Sequence, residues 1–113
     1  MSGLSTHVLD TARGRPAAGL AVRLERREGE GWRELRRATT GADGRVAALL
    51  PEGTPLTAGD YRLTFDVGVW LAAQGTGGFY PEAAVVFTVR RPDQHHHVPL
   101  LLSPYGYSTY RGS

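Results

Sequence analysis

The stretch Tyr61-Arg62-Leu63-Thr64-Phe65-Asp66-Val67 alternates apolar and polar side chains. Because side chains of a β-strand point to opposite faces in turn, this alternation is typical of a strand with one buried face. The residues that share the predicted buried face are Tyr61, Leu63, Phe65 and Val67. The pattern recurs over 20–26 and over 84–90, where Val85, Phe87 and Val89 are predicted to point inward. These three segments indicate an all-β protein.

Four weaker strands are predicted in the remaining sequence, bounded by glycine and proline turns. They are 4–10, 32–39, 45–49 and 95–102. One short helix is predicted over 69–74, and Gly75 favours its end. Seven or eight short strands at this spacing predict a two-sheet β-sandwich. The length of 113 residues predicts a single domain over 1–113.

The composition is that of an ordinary globular protein, with 41% hydrophobic and 21% charged residues. No apolar run approaches the length of a membrane span, so no membrane partner is expected. The first residues carry no basic region followed by an apolar core, and we therefore expect a cytoplasmic protein. The absence of cysteine excludes disulfides and thiolate chemistry.

All 13 basic residues are arginine, and they alternate with glutamate over 23–28 and 33–37. Charges of mixed sign indicate a solvated strand face rather than a phosphate-binding stripe. Nucleic acid is therefore not expected as a partner. The absence of lysine also excludes a Schiff base and a lysine nucleophile.

The four histidines are the first candidates for chemistry. His7 lies in the predicted strand 4–10, where a lone histidine is more often structural or exposed. In the triplet His95-His96-His97, the first and third side chains share one face and the second points to the other. That pair could begin a metal site with His7 as a third ligand, but no established zinc spacing is present, and no metal is assigned. The alternative is a general base, because imidazole accepts a proton near neutral pH.

Arg45 and the last four residues are the other candidates. Arg45 follows the predicted tight turn 41–44, where it is either a charge at a strand edge or a planar donor fork for an acyl or urea-like oxygen. The closing segment Tyr110-Arg111-Gly112-Ser113 follows the apolar run 98–102 and carries a phenol, a guanidinium and a hydroxyl. Tied to a packed strand, it would hold these groups in place; the alternative is a solubilising tail.

Four segments of the sequence carry a resemblance to a known family. They are Ser5-Thr6-His7-Val8-Leu9-Asp10-Thr11, Gly44-Arg45, His97-Val98-Pro99-Leu100-Leu101-Leu102-Ser103-Pro104-Tyr105 and Tyr110-Arg111-Gly112-Ser113. In this order they resemble the 5-hydroxyisourate hydrolases, transthyretin-related enzymes of purine breakdown, over essentially the whole chain. The terminal tetrapeptide is the most specific segment, because it separates these enzymes from transthyretin proper. The family commonly has an aromatic near the middle of the triplet, so His96 is not predicted to be catalytic.

The resemblance implies a transthyretin-like β-sandwich with one short helix, assembled as a homotetramer with active sites at the dimer–dimer interface. It implies hydrolysis of 5-hydroxyisourate to 2-oxo-4-hydroxy-4-carboxy-5-ureidoimidazoline in urate degradation, without a metal or an organic cofactor. The catalytic residues that it implies are His7, Arg45, His97 and Ser113. The substrate-binding residues that it implies are His7, Arg45, Tyr110, Arg111 and Gly112.

Water attack on a cyclic amide is the mechanism expected from this set. A neutral imidazole, His7 or His97, accepts a proton from water held near Ser113, and the sequence leaves open which histidine does so. Arg45 offsets the charge that develops on the carbonyl oxygen. Arg111 and Tyr110 position the ring or anchor the tail.

Two other classes of function are compatible with a sandwich of this kind. One is a non-enzymatic, transthyretin-like carrier of small aromatic ligands. The other is an immunoglobulin-like structural module whose polar residues lie on loops. A carrier channel has no need of paired histidines facing an arginine, and an adhesion module is expected to carry a secretory signal. The sequence therefore favours the hydrolase.

Overall fold

Residues 3–113 are described by a computed structural model and contain nine strands and one helix. The strands are β1 (Gly3–Asp10), β2 (Arg15–Pro16), β3 (Ala21–Glu28), β4 (Gly31–Thr39), β5 (Arg45–Val46), β6 (Gly59–Phe65), β7 (Ala83–Val89), β8 (His95–Ser103) and β9 (Gly106–Thr109). The helix α1 spans Val67–Ala73. β2 and β5 have only two residues each. The other seven strands agree with the predicted seven or eight.

The strands form two sheets packed face to face, as predicted for an all-β sandwich. In sheet A the order is β2-β1-β8-β9, with β5 also paired to β1, and in sheet B it is β4-β3-β6-β7. β1 and β8 run parallel, whereas the other strand pairs within residues 3–113 are antiparallel. The parallel pair lies in the middle of sheet A, and it aligns all of β1 with His95 to Leu102 of β8.

The alternating segments bury the faces that the sequence predicts. Tyr61, Leu63 and Phe65 of β6 are each at most 1% exposed. Phe87 of β7 is half-buried and stacks on Tyr61 with ring centroids 5.8 Å apart. The Tyr61 hydroxyl donates a hydrogen bond to the carbonyl oxygen of Thr57 at 2.8 Å, so the one polar atom of this large core side chain is satisfied.

The helix begins two residues earlier than the sequence predicts. Val67 was expected to continue the strand, and that expectation is wrong, because β6 ends at Phe65 and Val67 is the first residue of α1. Val67, Trp70 and Leu71 are its buried residues, at the spacing of one helical face. Within residues 3–113, no helix has the length and apolar character needed to cross a bilayer.

Two further elements differ from the sequence prediction. The strand expected over 45–49 is wrong beyond its first two residues, because β5 ends at Val46, although the amide of Leu49 still donates to the carbonyl oxygen of Leu4 in β1 at 2.9 Å. β9 was not predicted, since its Gly-Tyr-Ser-Thr sequence has no apolar alternation. It forms because the turn after Ser103 folds the chain back onto β8, with Ser103 paired to Gly106. The closing segment therefore follows a strand rather than a free tail.

The outer face of sheet B carries the alternating charges as ion pairs. Glu25 accepts a hydrogen bond from Arg62 at 2.9 Å and lies 3.6 Å from Arg23. The hydrogen bond from Arg62 is the main reason that the pKa of Glu25 lies below its usual value. Trp32 lies against the guanidinium groups of Arg27 and Arg62, at 4.8 and 4.5 Å from its ring. This face fits the predicted solvated surface of mixed charge.

Candidate active site

One outward face of sheet A carries most of the candidate residues. Along β1, Leu4, Thr6 and Val8 are buried in the core. Because successive side chains of a strand alternate, Ser5 and His7 point away from that core.

The same alternation divides the histidine triplet of β8. His96 and Val98 are buried, so His95 and His97 lie on the same outward side as Ser5. The predicted division of the triplet is therefore confirmed. We call the outward face that carries Ser5, His7, Arg45, His95 and His97 the histidine face.

The strand register brings these residues together. In the parallel β1–β8 pair, Ser5 lies opposite His97, and His7 lies opposite Pro99. On the other side of β1, His7 lies opposite Arg45 of β5. His7 is thus the direct neighbour of Arg45 and is two residues along β1 from the position facing His97. The sequence-predicted residues His7, Arg45 and His97 therefore occupy one continuous patch of the sheet.

A tight turn presents Arg45 to this patch. The amide of Gly44 donates to the carbonyl oxygen of Gly41 at 2.9 Å, and the amide of Arg45 donates to Asp43 Oδ1 at 3.0 Å. Gly44 has φ +76°, and a Cβ there would lie 2.5 Å from the carbonyl oxygen of Val8. Only glycine fits this close approach to β1. The Asp43-Gly44 pair therefore fixes the position of Arg45 beside β1.

The environment of His97 favours its neutral form. Its ring is partly buried, and this burial is the largest cause that lowers its pKa below the ordinary 6.5. The positive charge of Arg45 lowers it further, with smaller effects in the same direction from His7 and His95. A backbone group of Ser5 opposes the shift but does not reverse it. His97 is therefore an imidazole prepared to accept a proton near neutral pH.

This shift predicts a pH dependence of stability. Because the folded-state pKa of His97 is depressed, the unfolded chain binds the extra proton first as pH falls below 6.5. The stabilisation is therefore fully present above 6.5 and is lost as pH falls through the lower, folded-state value. We expect a histidine titration by NMR to place the His97 midpoint below 6.5, and we expect His97→Gln to weaken the acid dependence of the melting temperature. A midpoint above 6.5 would contradict the assigned environment.

The closing segment packs directly on His97. The amide of Gly112 donates to the carbonyl oxygen of His97 at 2.8 Å, and the two residues form an isolated antiparallel bridge. A Cβ at Gly112 would lie 2.6 Å from His97 Cδ2 and 3.2 Å from its Cγ. Glycine is required here because the tail backbone lies against the imidazole ring itself.

Gly112→Ala is expected to lower activity while leaving the fold intact. The added methyl group must displace either the His97 ring or the tail, and a misplacement of this size costs about 10- to 100-fold in rate. The matched control is Gly106→Ala, where the nearest atom to a new Cβ is Ser103 Oγ at an ordinary 3.7 Å. Steady-state kinetics and melting temperatures of both variants check this, and equal activity of the two would contradict it.

The other tail residues lie elsewhere. Tyr110 and Arg111 line a cavity of about 240 Å³ together with the inward-facing His96 and Val98. Arg111 Nη2 donates to Gln94 Oε1 at 3.1 Å. Ser113 is exposed, one residue beyond the bridge to His97. Gly112 therefore contacts His97 directly, whereas Tyr110 and Arg111 line this cavity.

Sequence reasoning did not single out Ser5 as a partner of the histidines. Ser5 Oγ lies 2.7 Å from His97 Nδ1 and 2.7 Å from His95 Nε2, between the two rings. The face shared by His95 and His97 was visible in the sequence, but the parallel pairing that places Ser5 between them was not.

Within residues 3–113, no group of three or more His, Cys, Asp or Glu side chains is arranged to hold a metal ion.

Comparison with known proteins identifies the family. A family model described as the HIUase/Transthyretin family matches residues 4–112. This chain belongs to the HIUase/Transthyretin family. A relative from Caulobacter vibrioides, named 5-hydroxyisourate hydrolase, is 51% identical over an alignment that covers 100% of both chains.

Solved structures of HIUase/Transthyretin family proteins agree with the sandwich. The structure of Klebsiella pneumoniae 5-hydroxyisourate hydrolase has a TM-score of 0.86 at 42% identity, covering 99% of this chain and 100% of that one. Transthyretin from Sparus aurata has a TM-score of 0.89 at 32% identity, covering 99% of this chain and 97% of that one. Proteins named 5-hydroxyisourate hydrolase and transthyretin share this fold. The fold by itself therefore does not distinguish a hydrolase from a carrier.

Proposed function

We propose that this chain is a 5-hydroxyisourate hydrolase, which opens a cyclic amide of its substrate with water to give 2-oxo-4-hydroxy-4-carboxy-5-ureidoimidazoline. The observation that carries the proposal is the histidine face, where His97, with its lowered pKa, shares a patch with Arg45 and His7. The 51% identity to a protein of that name supports the same conclusion. The proposed reaction uses no metal and no organic cofactor.

His97 is the proposed general base. Its lowered pKa leaves the ring neutral at the pH where a base must be unprotonated, and Ser5 engages its Nδ1. A water molecule gives a proton to His97, and the hydroxide forms a bond to the amide carbon. The carbon–nitrogen bond then breaks, and the leaving nitrogen takes the proton back from His97. Ser113 is proposed to hold the water, since it directly follows the Gly112–His97 bridge.

Arg45 and His7 are proposed to act on the substrate. The guanidinium is a planar fork of donors that suits a carbonyl oxygen as it becomes negative, so Arg45 would stabilise the transition state. His7 lies opposite Arg45 in the sheet and is placed to orient the ring or the water. Tyr110 and Arg111 are proposed to contact the substrate or to anchor the tail beside Gly112.

A homotetramer is the proposed assembly, with its active sites where two dimers meet. Within residues 3–113, strands β7 and β9 end their sheets with unpaired edges, which stable proteins usually cover. The histidine face also carries the half-buried apolar residues Leu9 and Leu101. Analytical ultracentrifugation tests this proposal, because a species of one chain mass would exclude an interface site. The cytoplasmic location expected from the sequence stays a prediction, which cell fractionation would check.

The test of the function is the decay of 5-hydroxyisourate followed by ultraviolet absorbance. The substrate is generated in place from urate by urate oxidase, with and without this protein. Acceleration beyond spontaneous hydrolysis that is lost in His7→Ala supports the hydrolase and its site. No acceleration by the folded protein contradicts the proposal, and it would favour the transthyretin-like carrier, for which binding of aromatic acids would be measured next.

A further inference from the structure

The hydroxyl of Ser5 connects two imidazole rings. Ser5 Oγ lies 2.7 Å from His97 Nδ1 and 2.7 Å from His95 Nε2, and Ser5 is buried whereas His95 is exposed. A serine hydroxyl has one hydrogen to donate, and it accepts through its lone pairs. When both rings are neutral, it can therefore donate to only one of them and must accept from the other.

Two arrangements of the hydrogen atoms satisfy the hydrogen bonds that join Ser5 to His95 and His97. In the first, the His97 Nδ1–H donates to Ser5, and Ser5 donates to His95 Nε2. In the second, the His95 Nε2–H donates to Ser5, and Ser5 donates to His97 Nδ1. Neutral imidazole carries one hydrogen, so the first arrangement leaves a lone pair on His97 Nε2 and the second places a hydrogen there.

We propose that Ser5 and His95 are positioning residues that hold His97 in the first arrangement, so that its Nε2 is the proton acceptor of the reaction. The proposal rests on the function proposed for His97 and extends it from the residue to the atom. Within the described chain, Ser5 is the only side chain hydrogen-bonded to a ring nitrogen of His97, and the bond is to Nδ1. Nε2 is left for water.

The charges around His97 explain why a hydrogen bond to Ser5 is useful for orienting its ring. The charged or titratable side chains that act most strongly on it are Arg45, His7 and His95, and all three disfavour its protonated form. No carboxylate is among them to orient the ring, as an aspartate does in a Ser-His-Asp triad. In the first arrangement, His97 keeps its Nδ1–H bond to Ser5 after Nε2 takes a proton. The imidazolium is therefore stabilised without any reorientation of the hydroxyl.

His95 is suited to be the outer acceptor. It lies beside a groove of about 470 Å³ lined by Gly3 and by residues of the 47–56 loop, so solvent reaches its ring. The Nε2 side faces Ser5, and the Nδ1 side faces Gly3, where a Cβ would lie 3.3 Å away. A neutral His95 with its hydrogen on Nδ1 completes the first arrangement.

The test is a long-range ¹H–¹⁵N NMR correlation of the histidine rings above pH 6.5, which distinguishes the two neutral tautomers directly. In the full chain we expect His97 to carry its hydrogen on Nδ1. In Ser5→Ala and in His95→Leu that preference should be lost, whereas Ser5→Thr and His95→Gln keep a hydroxyl and an acceptor and should retain it. A His97 with its hydrogen on Nε2 in the full chain would overturn the proposal.

Kinetics of the same variants supply the second readout. Loss of one hydrogen bond should lower kcat/KM by about tenfold in Ser5→Ala and His95→Leu, with recovery in Ser5→Thr. The control is Ser103→Ala, whose hydroxyl serves only the turn to Gly106. Wild-type kinetics in Ser5→Ala, combined with an inactive His97→Gln, would overturn the positioning role alone. An active His97→Gln would instead refute the function proposed for His97. The tautomer measurement would still show which of the two hydrogen-bond arrangements is present.

Discussion

His97→Gln is expected to lower kcat/KM for 5-hydroxyisourate by about 10²- to 10⁴-fold, the contribution typical of a general base. Glutamine keeps a polar side chain of similar reach but cannot take a proton near neutral pH. Because the ring lies on the outward face and is only partly buried, its loss should leave the core packing intact. The measurements are ultraviolet kinetics on substrate made in place, and the melting temperature of the same sample.

The matched control is the adjacent residue. His96 points to the core side of β8, is 5% exposed, and has its Nδ1 3.0 Å from the carbonyl oxygen of Gln94. His96→Gln should therefore lower the melting temperature more than His97→Gln and should leave kcat/KM nearly unchanged. The reverse pattern is a folded and active His97→Gln with an inactive His96→Gln. It would show that the catalytic imidazole lies on the core side of β8 and not on the histidine face.

The sequence was sufficient to predict which side chains share a face. The period of two in β1 and β8 places His7 on one outward side and separates His97 from His96 without any knowledge of the partner strand. The same rule predicted the buried face of β6. These features are local, since they depend only on the alternation within one strand.

The contacts that assemble the site are not local. Ser5 and His97 are separated by 92 positions in the chain, and they meet because β1 and β8 pair in parallel with a fixed register. A shift of that register by two residues would keep every predicted face and remove the Ser5 contact. β9 was missed for a related reason, because its polar sequence becomes a strand only when β8 offers it a free edge. Pairing and register therefore had to come from the structure.

Arg45→Met is expected to lower kcat by about 10²- to 10³-fold, which is the cost of removing one donor from a developing oxyanion. Methionine retains most of the side-chain length without charge or hydrogen-bond donors. Because the positive charge of Arg45 lowers the pKa of His97, the same variant should raise that pKa. Two independent readouts, turnover and the NMR titration of the His97 ring, therefore respond to one substitution.

Arg45→Lys separates charge from geometry. Lysine keeps the positive charge near His97, so the pKa of that ring should stay low, but it lacks the planar fork, and kcat should remain well below that of the parent chain. Arg36→Met, an exposed arginine on β4 of the other sheet, controls for loss of a positive charge in general. If Arg45→Met shifted the His97 titration without lowering kcat, Arg45 would only tune the base. If it lowered kcat without shifting the titration, Arg45 would act on the substrate and lie farther from His97 than the register indicates.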